Sequence, residues 1–494
     1  MDEQPNLGTK VGEYERLGRK RLSLIDCIAQ SVGFMGPVFS VAFLIPLIAG
    51  IISATGRGAG IASPVAVILA AVGVFALGWI VAEYARRIHA AGSLYDYVSN
   101  GLGDKTGASA GWLYYGGTTM LTAGLVVLMG GYIHDTLQAE FHHGLLPGWL
   151  WSVLVTIVLF LVLYLGVQIS TRVQLSLSLV SVAVVLVFFI YVIFKVGSGN
   201  SLKAFNPSQA ADGWSGIFLG VLYGVLIYVG FETAANLAEE TEHPKRHIPS
   251  AVLLTVVFVT IFYVIAAYAQ VAGFGFDLKT LASAAAAPLF ALASPSSAGG
   301  YGSTGLVRLM ELVVLLDMLA VAVGASVAST RGVFAMARDR RIPAPLATVS
   351  SRYQTPIGGI VFLMASILLM ICLNQFWTGL FALPNTPHYF ALFAWDSTFG
   401  GFALVIVYLL MAVGSLFGLS REAGVRVIVA AIVGIALTAG AIFGSFYKVT
   451  SPTILAPWVA IGWLVVGIVV TLLVRGREPA SRALAELSSS GAEG

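Results

Sequence analysis

The sequence predicts an all-α polytopic membrane protein of twelve transmembrane helices, a five-plus-five inverted repeat with broken helices 1 and 6 plus two extra helices. Three observations carry this expectation. Of 494 residues, 58% are hydrophobic and only 10% charged, more apolar matter than a soluble domain of this length needs for its core. Twelve continuous apolar stretches are long enough to cross about 30 Å of hydrocarbon as helices, whereas barrel strands would alternate. The first and the sixth of these stretches carry a glycine break at mid-depth, and an odd offset of five spans makes the equivalent helices of two repeats run in opposite directions.

The stretches cover residues 26–52, 64–87, 106–134, 149–167, 173–195, 215–240, 248–272, 304–337, 357–373, 388–416, 424–446 and 453–474. A polar tail (1–25) therefore precedes a transmembrane domain (26–475) with repeat one at 26–195, repeat two at 215–416 and the extra helices at 424–474; a second tail covers 476–494. The first 25 residues hold no short apolar core followed by a small-residue cleavage site, so helix 1 is expected to direct insertion. If both termini are cytoplasmic, all 27 Lys and Arg fall on the inner side except Arg57, Lys195, Lys203, Lys279, Arg308 and Lys448. The net charge of +3 then belongs to cytoplasmic loops and signals no nucleic-acid partner. Cys27 and Cys372 have neither metal nor disulfide spacing and are expected to be packing residues inside their helices. The apolar run from Leu281 to Ala293 is too short to span and is expected as a helix at the outer surface or partly re-entrant.

Helix 1 carries "SVGFMGP" at residues 31–37, where Pro37 costs about 3 kcal/mol in a regular helix interior. Local unwinding relieves that cost, and unwound backbone at membrane depth is tolerated where it is buried in protein or lines a cavity. A proline kink satisfied by neighbouring side chains is the alternative. Helix 6 carries "YVGFETA" at 228–234 without a proline, and adds Glu232, whose carboxylate costs about 3 kcal/mol near mid-depth. If a second half-helix starts near Phe231, Glu232 sits in its first turn, where exposed N–H groups and the positive dipole end favour negative charge. Stabilising the break is the favoured role; a proton or amine partner is the other.

Three stretches resemble the amino acid, polyamine and organocation permeases: "YVGFETAANLAEETEHPKRHIPSAV" (228–252), "AGSLYDYVSNGLG" (91–103) and "STRGVFAMARDRRIPAPLATVSSRYQTP" (329–356). The resemblance extends over residues 16–475 and implies the five-plus-five fold of sodium-coupled leucine transporters. It implies that Gly33 and Gly36, with Phe34 and Met35 between them, present backbone N–H groups to a substrate carboxylate. Carbonyls near Tyr228 and Gly230 would take the amine, and Tyr228 or Phe231 would be an aromatic lid. The chain departs from the family motif in lacking its last glycine and in gaining Phe34 and Pro37. In helix 5, where several proton-coupled members carry a lysine, the corresponding position holds Ser181, so lysine-based coupling is not expected.

The remaining intramembrane polar residues are few. Arg308 and Glu311, three apart, are expected as an interfacial ion pair. Asp317 lies six residues deeper, about 9 Å along the axis, and is either a proton carrier or cation partner, or a hydrogen-bonded acid at a helix interface. Ser329 and Thr330 could offer hydroxyls to Na⁺, or bond back to their own helix. Asp396 is a second isolated acid, and Glu83 is expected to pair with Arg86 and Arg87. His134, His142 and His143 match no metal-ligand spacing, no glycine loop for a phosphate is present, and no cofactor is implied. The expected function is thus a secondary active transporter of amino acids or related organic amines in the cell membrane, coupled to a proton in preference to sodium, or exchanging. A channel-like or solute-sensing protein on the same fold is the alternative, and an enzyme is not expected.

Overall fold

In the computed structural model, which describes residues 22–50, 58–284, 288–382, 387–419, 424–447, 449, 451–474 and 476, the apolar stretches are helical. They are named α1 (Leu24–Ala49), α2 (Gly60–Ala85), α3 (Asp104–Phe141), α4 (Gly148–Leu165), α5 (Val167–Val196), α6 (Gly213–Leu226 and its continuation), α7 (Pro244–Gly273), α8 (Thr304–Arg338), α9 (Ile357–Phe376), α10 (His388–Gly418), α11 (Val425–Gly444) and α12 (Leu455–Leu473). Eleven are long and apolar enough to cross a membrane. The sixth is not a continuous helix over 215–240: it stops at Leu226, passes through a turn, and resumes as a 3-10 helix at Thr233–Leu237. Both expected tails fall almost wholly outside the described residues.

The helices sort by burial as their sequences require. Helices α1, α3, α8 and α10 are mostly buried, whereas α4, α11 and α12 turn rows of exposed Leu, Val and Ile outward, as lipid-facing helices do. Cys27 is packed inside, but Cys372 is exposed on α9, because a thiol on an outer helix face needs no protein neighbour in lipid. The run at Leu281–Ala293 is not one helix; it forms two short ones, Leu278–Ser283 and Pro288–Ala293, with Leu289 and Leu292 buried.

Helix α3 packs against α10 along a seam of small residues at heptad spacing, Gly117, Gly124 and Gly131. A Cβ at these positions would come within 3.0 Å of Ala403, 2.7 Å of Asp396 and 2.2 Å of Tyr389, which are themselves seven apart on α10. Without a hydrophobic drive between helices in lipid, such close backbone approach supplies the contact.

Helix α1 changes winding twice. Residues Leu24–Met35 form a regular helix that ends at Gly36, at φ +54°, a conformation an L side chain rarely adopts. After Pro37 the chain runs through a π-helical stretch, Ser40–Leu44, into Ile45–Ala49. There the Ile45 N–H donates to the carbonyl of Ser40 instead of Val41. The Val41 carbonyl thus freed accepts from Gln270 Nε2 of α7 at 2.9 Å, so the wide turn leaves no orphan there.

Candidate functional site

The breaks in α1 and α6 lie against each other and share their polar groups. Ser31 of α1 donates from its hydroxyl to the Phe231 carbonyl (2.9 Å) and accepts from the Ala234 N–H (3.2 Å). The Ile227 carbonyl, released where α6 stops, accepts from Tyr263 of α7 (2.8 Å), and the Gly230 carbonyl accepts from its own Thr233 (2.7 Å). Gly230 is at φ +109°, and a Cβ there would lie 2.8 Å from the ring of Phe34. Unwound backbone is therefore satisfied within protein, the condition for keeping it at membrane depth.

Glu232 holds the α6 break from two sides. Its carboxylate is fully buried and accepts from Tyr114 of α3 (2.5 Å) and Tyr408 of α10 (2.9 Å), while its residue forms the N-cap of Thr233–Leu237. The Glu232 side chain makes no cap hydrogen bond to that helix, contrary to the expectation that first-turn N–H groups hold it, whereas Asp317 of α8 caps the break in α1 directly. Its Oδ2 accepts from the Val38 N–H (2.9 Å) and the Phe39 N–H (2.8 Å), the first free donors of the half-helix that follows Pro37. A carboxylate at such a start is also favoured by the dipole.

A cavity of about 80 Å³ opens between these breaks. Phe34, Met35 and Phe39 of α1 and Val229 of α6 line it on one side. Leu121 and Leu125 of α3, Val321 of α8 and Phe393 and Ser397 of α10 line it on the other. Its wall is almost entirely apolar.

Several expected site residues stand elsewhere. Gly33 is inside the regular helix and exposes no N–H; a Cβ there would meet Gln174 Oε1 at 2.5 Å, so it is a close-packing position. The Gly36 N–H is used by the Val32 carbonyl (3.2 Å). Tyr228 is buried against Tyr263 with its hydroxyl on Thr260, and Phe231 packs on Tyr408; neither lines the cavity. The aromatic residues that do are Phe34, Phe39 and Phe393, of which Phe34 was expected near substrate. Ser181 donates to the Val313 carbonyl of α8 (2.8 Å), Ser329 pairs with Thr119 (2.6 Å), and Thr330 bonds back to Ser326 (2.8 Å). Arg308 pairs with Glu140 of α3, not with Glu311 three residues along its own helix, whereas Glu83 does meet Arg86 and Arg87. Asp396 is fully buried.

Two buried ion pairs on the N-terminal side of the cavity escaped sequence reading. Arg331 of α8 grips Glu240 with two hydrogen bonds (2.6 and 3.2 Å), and Arg338 grips Glu239 likewise (3.0 Å each). Both acids directly follow the α6 break, and Leu22 at the start of α1 joins them through N–H donation to the Glu240 carbonyl (3.0 Å). The signal was present, since the acids lie in one of the quoted stretches and the arginines in another, but opposite charge alone does not pair residues 91 and 99 positions apart. Arg331→Met should lower stability by about 3–5 kcal/mol, because it strands a buried carboxylate. Thermal unfolding in detergent reads this, and the double variant with Glu240→Gln should recover part of the loss.

This architecture has known counterparts. A crystal structure of a mutant manganese transporter from Eremococcus coleocola superimposes with a TM-score of 0.53 at 13% identity, covering 93% of this chain and 97% of that one, which shows the shared fold. An uncharacterized transporter of Mycobacterium tuberculosis is 29% identical over 372 residues, 70% of this chain and 74% of its own length. A branched-chain amino acid permease of Bacillus subtilis is 24% identical over 152 residues, 29% of each chain. The small subunit 2 of the large neutral amino acids transporter of Mus musculus is 29% identical over 163 residues, 33% of this chain and 29% of its own length. These relatives are transporters, not enzymes, and the family model for amino acid permeases matches residues 32–413, through both breaks and nearly all of α10. A multi-pass membrane protein built on paired broken helices and matched over that length is a membrane transporter of the amino acid permease family.

Proposed function

We propose that the chain is a secondary active transporter that carries an amino acid or related organic amine across the cell membrane by alternating access, with both termini cytoplasmic. The observation that carries this reading is the cavity between the α1 and α6 breaks, walled also by α3, α8 and α10. Discontinuous helices at mid-depth are where such transporters place substrate. The hydrocarbon wall suits a substrate with an apolar body, in keeping with the branched-chain and large neutral amino acids named for two relatives.

In this reading α1, α2, α6 and α7 rock against the remaining helices. The Arg331–Glu240 and Arg338–Glu239 pairs hold the cytoplasmic ends of α6 and α8 together and part when that side opens. Coupling to a proton, or exchange, is favoured over sodium in this reading; the Ser329 hydroxyl pairs with Thr119 and the Thr330 hydroxyl donates to Ser326. Purified protein in liposomes should take up a labelled member of an amino acid and amine panel saturably, faster under an inward proton gradient or against internal substrate than under a sodium gradient alone. Unitary ion currents far above carrier turnover, or binding without flux of any panel member, would overturn the reading.

A further inference from the structure

The start of the outer half of α1 is where an arriving carboxylate would look for N–H donors, and those donors are spent. Pro37 has none. Val38 and Phe39 give theirs to Asp317, and Ser40 gives its own to the Gly36 carbonyl (2.8 Å). Across the cavity three amides of the α6 turn are taken as well, with Val229 donating to Leu226, Phe231 to Tyr228, and Thr233 to Gly230.

Acceptors, by contrast, are in surplus. In an unbroken helix the Gly33 carbonyl would accept from residue 37 and the Phe34 carbonyl from residue 38. The first of those residues is a proline, and the second has turned to Asp317. These carbonyls sit at the negative end of the inner half-helix, beside the wall residues Phe34 and Met35. Asp317 is itself fully buried, and while its Oδ2 takes both N–H groups, its Oδ1 has no hydrogen-bond partner among the described residues. A buried carboxylate oxygen left so is unusual, and it lies one turn of α8 from Val321 in the cavity wall.

We propose that Asp317 occupies, from within the protein, the place that a substrate carboxylate would take, so that the site selects an organic ammonium with an apolar body and gains nothing from an α-carboxylate. This rests on the transport reading above and adds to it the substrate class. The ammonium finds the carbonyls at the end of the inner half-helix, with the Asp317 carboxylate behind the wall one turn of α8 from Val321, and the hydrocarbon body finds the Phe, Leu and Val wall. A carboxylate on the same molecule meets Asp317 already seated on the Val38 and Phe39 amides that would have received it.

The test uses matched pairs on the full-length protein: leucine against 3-methylbutylamine, phenylalanine against 2-phenylethylamine, and leucinamide as a third arm. Binding is read by thermal shift in detergent and by competition for flux in liposomes. The amine of each pair should bind at least as tightly as the amino acid, and leucinamide should follow the amine. An amino acid that binds about tenfold or more tightly than its decarboxylated partner overturns this proposal while leaving the transport reading standing. If no amino acid and no amine is bound or carried, the transport reading falls and the proposal with it.

Two variants separate charge from capping. Asp317→Asn keeps an oxygen for the Val38 and Phe39 amides and should melt near wild type, yet lose amine binding by about tenfold or more. Asp317→Ala frees both amides, and where it folds it should shift preference within each pair toward the amino acid. Unchanged amine binding in a folded Asp317→Asn protein would overturn the assignment.

Discussion

Glu232→Ala will leave little folded protein. The carboxylate is fully buried and is the acceptor for both Tyr114 and Tyr408, so its removal strands two phenolic hydroxyls in the interior. Each group left unsatisfied costs about 1–3 kcal/mol, and the vacated volume adds to this, against a total stability of about 5–15 kcal/mol. The loss reaches beyond one contact, since Tyr114 is on α3 and Tyr408 on α10, and Glu232 is the point where both helices meet the α6 break. Glu232→Gln keeps the shape; its carbonyl serves one tyrosine, and the other can rotate its hydroxyl to accept from the amide. That variant should fold with a modestly lower melting temperature. Size-exclusion profiles and thermal unfolding in detergent check both, and an alanine variant that melts within about 2 °C of wild type would exclude the bridging role.

Gly36→Ala and Gly230→Leu should both abolish transport. At Gly36 a Cβ would sit 2.1 Å from Val321 Cγ2, and the backbone is at φ +54°. Valine is stiff at χ1, so the clash moves α1 away from α8 and pulls Val38 and Phe39 off Asp317. At Gly230 a side chain would start 2.8 Å from the Phe34 ring, with φ at +109°, and would push that ring into the cavity it lines. Uptake should fall about 100-fold or more in each variant that reaches the membrane, a barrier change of about 2.7 kcal/mol. Adding Val321→Ala to Gly36→Ala removes the collision but not the positive-φ strain, so uptake should return in part. The partial rescue distinguishes packing from backbone strain, and wild-type uptake by Gly230→Leu would rule out this placement of the substrate site.

The cavity proposed for substrate was legible only in outline. The positions of the two breaks follow from glycine, proline and one glutamate in otherwise apolar runs, and the structure puts them side by side. Which side chains face the cavity was not legible, because α1 and α6 are buried around most of their circumference and have no polar face to orient them. Tyr228 and Phe231 were therefore expected as lids but pack against Tyr263 and Tyr408, while Phe39 and Phe393 were passed over and line the wall. Asp317 could be singled out as an isolated acid, yet its partners lie 279 and 278 residues away on another helix.

By itself the sequence determined the membrane-spanning architecture and the positions of the breaks along their helices. Continuous apolar length and backbone-breaking residues act locally, and lipid leaves a chain no alternative to internally bonded helices. Only the tertiary structure decided what satisfies the broken ends. Each freed amide or carbonyl had to find a partner on a distant helix: Asp317 for the α1 amides, Tyr263 for the Ile227 carbonyl, Ser31 between the two breaks. Those choices depend on helix packing set by close contacts such as the Gly117–Gly124–Gly131 seam, which no local pattern encodes, and they fix which polar groups are left for a substrate.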